Sequence, residues 1–150
     1  MGPDAIARIE AALVTLVRRA TDPRGNREIN RSAGVDIERA GAVMLARVEE
    51  LEPARLSDLA EAAGVDTSTA SRQVARLVDD GYVDRGADPD DRRASAHRLT
   101  PAGREVRRRL RTARREWFED VLGDFEPAEQ EQLATLLERF VDHMQPTDHT

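Results

Sequence analysis

The chain has 150 residues, 39% apolar, 35% charged and 3% aromatic, a balance that suits one aliphatic, helix-rich domain better than a β-sandwich. Cysteine is absent, which excludes disulfides, thiolate zinc sites and thiol-based redox sensing. The net charge of −6 hides a polarised distribution, because residues 82–115 carry 11 Arg against 5 acids while residues 116–150 carry 1 Arg against 10.

In chain order, Ile6, Ile9, Leu13, Leu16, Val17 and Ala20 follow the helical period and predict an opening amphipathic helix. The segment Thr21 to Gly34 holds Pro23, Gly25, Asn26 and Asn30 and reads as a loop. A second helix follows, with Ile37, Ala40, Gly41, Met44, Leu45, Val48 and Leu51 on one stripe, and Pro53 stops it. A short helix from about Ser57 to Ala63 places Leu59, Ala60 and Ala63 inward and ends at Gly64. Asp66 or Thr67 caps the next helix, which turns Ala70, Val74, Leu77 and Val78 inward and stops at Gly81. The period then changes. Residues 82–85 and 95–99 read as short strands, with residues 86–93 as a polar hairpin tip. Thr100-Pro101 opens a long helix carrying Val106, Leu110, Ala113, Trp117 and Val121. Gly123 and Asp124 break it. Glu126-Pro127 starts a last helix whose stripe is Leu133, Leu136, Leu137, Phe140, Val141 and Met144, and the tail from Gln145 is expected to fray.

Residues 56–81 therefore hold two short helices, with the small Ala60 where they would cross and Gly64 at the turn, followed by a hairpin. If Ala70, Val74 and Leu77 face the core, Thr67, Ser68, Ser71, Arg72 and Arg76 point outward. That face is short, polar and cationic, as a helix entering a major groove must be. Arg72 is the first candidate for a bidentate contact to guanine, with Ser68, Ser71 and Gln73 as further base or phosphate contacts. An ordinary solvated helix face would satisfy the same residues. The hairpin adds a second observation: Arg92 and Arg93 stand at an exposed turn where packing has no use for them. An arginine there can reach a narrow minor groove, where the potential is most negative. Asp90 is placed to brace Arg92 by a fork-like ion pair. Asp88, Asp90 and Asp91 would repel phosphate if unpaired, and the sequence leaves open which neighbour pairs with which. The basic segment 82–115 agrees with a nucleic-acid footprint, although a solvated arginine face gives the same count.

Leu59-Ala60, Gly64-Val65, Ser71-Arg72, Leu77-Val78, Gly81-Tyr82-Val83, Asp88-Pro89-Asp90-Asp91-Arg92-Arg93, Leu99-Thr100 and Gly103 together resemble the MarR family of bacterial regulators, over roughly residues 35–105. The resemblance implies a mainly α fold with a small β-hairpin wing, that is, a winged helix-turn-helix with a helical dimerisation stem. It implies one regulator domain over 1–150, with a DNA-binding lobe at about 36–99 and a stem from about 4–21 plus 101–145. In it, Asp66–Asp80 would be the recognition helix and Arg92 the minor-groove arginine oriented by Asp90. The expected function is a homodimeric repressor on a pseudo-palindromic operator, released by a small, often anionic aromatic effector. A winged-helix adaptor that binds protein instead of DNA is the alternative.

Other chemistry finds no anchor. His97, His143 and His149 are widely separated with no i, i+4 ligand pair for zinc, so no metal or cofactor is expected. No P-loop, G-x-G-x-x-G or G-x-S-x-G pattern occurs, and no nucleophile is arranged with a base. The chain is therefore not expected to be an enzyme. Trp117 is the one weak candidate for lining an effector pocket, against its ordinary place in a core. Arg104, Arg108, Arg111 and Arg115 lie along one helix face and are expected to pair with the acids after residue 116 across the stem. The charged, mixed N-terminus suggests no signal peptide, and no apolar run approaches membrane-spanning length, so a cytoplasmic protein is expected.

Overall fold

A computed structural model describes residues 3–144. Among them seven helices and one two-stranded sheet follow in the order α1 (Pro3–Ala20), α2 (Pro23–Ala33), α3 (Arg39–Leu51), α4 (Leu56–Ala63), α5 (Thr67–Asp79), β1 (Val83–Ala87), β2 (Ser95–Leu99), α6 (Pro101–Val121) and α7 (Pro127–His143). The chain divides into two units, residues 1–114 and residues 115–150, with α6 running from the first into the second.

The first unit contains the core. Met44, Leu45 and Val48 of α3, Leu59 and Ala60 of α4, and Ala70, Val74 and Leu77 of α5 close on one another. Val83, Leu99 and, from α6, Val106, Leu110 and Ala113 complete the cluster. Its members are overwhelmingly aliphatic, so the scarcity of aromatics costs the core nothing in area that leucine and valine cannot supply. The stripe expected on α3 is narrower than its spacing suggests, because Ala40 and Leu51 are exposed. β1 and β2 pair antiparallel from Val83–Leu99 to Ala87–Ser95, so β1 runs two residues further towards the tip than expected. Ala54 adds an isolated antiparallel bridge to His97.

The segment 21–34 is a helix and not a loop. Asp22 caps α2 by accepting the amide of Arg24 at 2.9 Å, Pro23 opens it, and Gly34 ends it at φ 67°. These are ordinary start and stop signals. The apolar period is missing because Asn30 occupies an inward position. It is buried and donates its Nδ2 to the Ile37 carbonyl at 2.6 Å.

α1 of the same unit presents Ile6, Ile9, Val14, Leu16 and Val17 to solvent. In the second unit, Trp117, Phe118 and Val121 at the end of α6 are exposed, and α7 buries none of its residues. Leu136, Leu137, Phe140 and Val141 lie open along it. Glu126 and Glu129 form a reciprocal capping box at its start.

Candidate nucleic-acid interface

α5 is set by its first turn. Asp66 accepts the Thr69 amide at 2.7 Å and the Ser68 hydroxyl at 2.9 Å. These bonds, the Thr69 amide foremost, hold the Asp66 carboxyl down at about 2. A charged cap at a helix N-terminus keeps the first orphan amides satisfied. With Ala70, Val74 and Leu77 fully inward, geometry turns Thr67, Ser68, Ser71, Arg72 and Arg76 to solvent, and Gln73 is half-buried. Among the described residues Arg72 donates only to its own helix neighbour Thr69, at 3.3 Å. Arg76 lies 3.1 Å from Glu38, the residue before α3, with both side chains largely exposed.

The wing is ordered by a residue that the sequence reading left among the repelling acids. Asp88 is 7% exposed. It accepts Nε of Arg55 and the amide of Asp90, the latter at 2.8 Å. The Arg55 guanidinium, followed by that amide, holds the Asp88 carboxyl below its usual range, and Asp88 in turn raises Arg55. The rest of the turn is closed by Asp88 N to Ala94 O and Ala94 N to Asp91 O, each at 3.0 Å, and by the Arg93 amide on Asp91 Oδ1. Arg92 and Arg93 stand exposed at its apex. The expected ion pair between Asp90 and Arg92 is not among the salt bridges of the described residues. Asp90 enters the turn through its backbone amide instead.

Two open clefts flank α5, each of about 550 Å³. One lies between α4, α5 and the wing, and gathers Ser71, Arg55, Arg85 and Arg93. The other lies between α5 and the start of α3, where Thr69, Arg72, Gln73 and Arg76 face Asp36 and Glu38. Of the expected recognition-helix residues Ser71 shares a cleft with the wing residues Arg85 and Arg93, whereas Arg72, Gln73 and Arg76 line the cleft on the other flank of α5, and Arg92 lines neither. Sequence reasoning missed Arg55, Arg85 and Asp88. The Arg55–Asp88 pair spans 33 positions, so no local spacing could announce it.

Within the single chain the arginines of α6 pair mostly with acids that precede residue 116. Arg104 bonds Glu52, and Arg107 and Arg111 share Glu49 on α3. Arg108 and Arg109 share Glu105, which holds that carboxyl at about 2, Arg108 being the larger influence. Among the described residues only Arg115 meets an acid beyond residue 116, and that is Glu119 of its own helix at 2.9 Å.

His97 is buried, with Nδ1 3.0 Å from the Ala54 carbonyl. His143 sits on the surface against Arg139 O, and His149 lies outside the described residues. No cluster of three or more potential metal ligands occurs among the described residues, and no helix there is long and apolar enough to cross a membrane. Trp117 is 38% exposed, edge-on to Phe118 with ring centroids 4.9 Å apart, and lines neither cleft.

Comparison with known proteins agrees with this geometry. The MarR family model matches residues 37–95, which runs from the start of α3 to the start of β2. An uncharacterized HTH-type transcriptional regulator of Bacillus subtilis, YxaD, is 34% identical over 133 residues, covering 87% of this chain and 89% of its own. The structure of a MarR family protein from Bacillus stearothermophilus superposes with a TM-score of 0.84 at 21% identity, over 96% of this chain and 98% of that one. BpsR of Bordetella bronchiseptica, whose DNA binding is described as regulated by 6-hydroxynicotinic acid, gives a TM-score of 0.61 at 25% identity, over 85% and 91%. Seven helices, a two-stranded wing and a helix-turn-helix at α4–α5 are thus the family's winged-helix fold, and the family's members are transcriptional regulators, not enzymes. The chain belongs to the MarR family of HTH-type transcriptional regulators.

Proposed function

We propose that this regulator is a homodimeric repressor that places α5 in the major groove and the wing arginines in the adjoining minor groove of a pseudo-palindromic operator. The observation that carries the reading is the cleft in which Ser71 of α5 faces Arg85 and Arg93 of the wing, with Arg72 exposed on the other flank of the same helix. In this assignment Arg72 reads a guanine, and Thr67, Ser68, Ser71, Gln73 and Arg76 contact bases or phosphates. Arg92 enters the minor groove, with Arg93 and Asp90 beside it. The half-sites then lie about one helical turn apart, roughly 34–36 Å between centres. The lobe is about residues 36–99, although its core also draws on Ala33 of α2 and on Val106, Leu110 and Ala113 of α6. The stem is about 4–21 plus 101–145, because the apolar faces of α1, of the end of α6 and of α7 lie open in the single chain. BpsR's regulation by a small aromatic acid supports an effector of that class, a small anionic aromatic, for this chain.

The test is fluorescence anisotropy with the DNA flanking its own gene and with a selected random pool, on wild type, Arg72→Ala and Arg92→Ala. Loss of one bidentate base contact costs about 1–3 kcal/mol of discrimination, so Arg72→Ala should weaken specific binding roughly 5- to 150-fold. Wild-type binding to neither DNA, or alanine at both positions leaving affinity intact, would refute the assignment and favour an adaptor.

A further inference from the structure

We infer that Arg55 is a positioning residue for the wing, tying the start of the helix-turn-helix to the hairpin tip through the buried carboxylate of Asp88. The inference rests on the DNA-binding reading above for its consequence, but not for its geometry.

Apart from the buried Ala96 of β2, the wing has little else to hold its outer half. β1 buries only Val83 of its five residues, and an isolated two-stranded hairpin is marginal in water. The inner half is anchored by Ala54, whose amide and carbonyl exchange hydrogen bonds with His97 at 3.0 and 2.8 Å. Beyond His97 towards the tip no further backbone bridge to the lobe occurs among the described residues. The next residue after Ala54 is Arg55, and its side chain reaches outward to Asp88. Consecutive residues therefore anchor the wing twice, once by backbone and once by guanidinium.

Asp88 passes this anchor on to the tip. Its second oxygen accepts the Asp90 amide, and its own amide closes on Ala94. Those bonds fix the loop that carries Arg92 and Arg93. A buried carboxylate stripped of its cation is strongly unfavourable, so without Arg55 Asp88 must turn to water and release the Asp90 amide. Arg55 also offsets the negative charge of Asp88 within the same turn that carries Arg92 and Arg93. The wing arginines are thus aimed from α4, and the residue that orients them most firmly is Asp88 acting through the backbone.

The experiment is a double-mutant cycle in DNA affinity together with amide hydrogen exchange on the free protein. Arg55→Ala should raise exchange at the Asp88, Asp90 and Ala94 amides while the α5 amides stay protected, and Arg55→Lys should restore part of the protection. In DNA binding, Arg55→Ala should cost about tenfold in wild type and in Arg72→Ala. In Arg92→Ala it should cost less than twofold, because the side chain it aims has gone. Unchanged wing exchange would overturn the brace itself. A full tenfold loss persisting in Arg92→Ala would overturn its action through Arg92. Should Arg72→Ala and Arg92→Ala both bind like wild type, the DNA reading fails while the exchange result still decides the brace.

Discussion

Replacing Gly103 with alanine sets a helix propensity against a steric limit, and the structure supplies the numbers to decide between them. Gly103 is a buried residue of the first turn of α6. A Cβ built on it would stand 2.1 Å from the carbonyl oxygen of Tyr82 and 3.0 Å from its carbon. An ordinary contact needs about 3.4 Å, so backbone at the α5–β1 junction or at the α6 start must move by more than an ångström. That carbonyl also accepts the Thr100 amide at 3.1 Å. Thr100 Oγ1 in turn donates to Gly81 O at 2.6 Å and accepts the Gly103 amide at 3.0 Å. Alanine gains about 1 kcal/mol over glycine in a helix interior. Overpacking against rigid backbone costs about 1–3 kcal/mol or more, and losing the Thr100 bond adds about 1 kcal/mol. The balance is a loss of about 1–3 kcal/mol, or a fall in Tm of roughly 2–12 °C for a chain of this size. Differential scanning calorimetry at one fixed protein concentration measures it, since dimerisation would make Tm concentration-dependent. A Gly103→Ala protein melting within 1 °C of wild type, or above it, would refute the reasoning.

The remaining expectations concern acid stability and assembly. Asp66 and Glu105 both titrate at about 2 when folded, against ordinary values of 3.8 and 4.5. Their stabilisation is therefore complete above about pH 5 and is lost as pH falls through that window towards 2. Thermal melts between pH 5 and 2 should show a shallower decline for Asp66→Asn and Glu105→Gln than for wild type. Identical slopes would contradict the assigned causes. Leu136→Glu on the open face of α7 should shift sedimentation velocity from dimer towards monomer without changing helical content, whereas a wild-type monomer at micromolar concentration would remove the stem.

Most of the helix-turn-helix was legible because aliphatic periodicity and caps agree there. Ala70, Val74 and Leu77 mark the inner face of α5, Asp66 its cap and Gly64 the turn before it. α2 escaped because hydrogen bonding by Asn30 replaces the apolar contact that periodicity detects. The wing was legible as a charged tip but not as a braced one. Which of three aspartates is buried depends on Arg55 arriving from another helix. The partners that the α6 arginines take within the chain were illegible for the same reason: Glu49 and Glu52 are brought to them by α3 packing, which composition cannot express.

Six of the eleven arginines in residues 82–115 are engaged by carboxylates of their own chain, namely Arg104, Arg107, Arg108, Arg109, Arg111 and Arg115. Those of the hairpin, Arg85, Arg92, Arg93 and Arg98, are in no ion pair among the described residues. Within the segment, therefore, the unpaired positive charge is concentrated in the hairpin, with Arg114 the one further arginine in no ion pair among the described residues. Each phosphate neutralised steepens the dependence of affinity on salt by about 0.9 in the logarithmic slope. Arg39 and Arg72 of the lobe are likewise in no ion pair among the described residues, so the salt slope of duplex binding should be set by these few positions and should fall by about one for each that is removed.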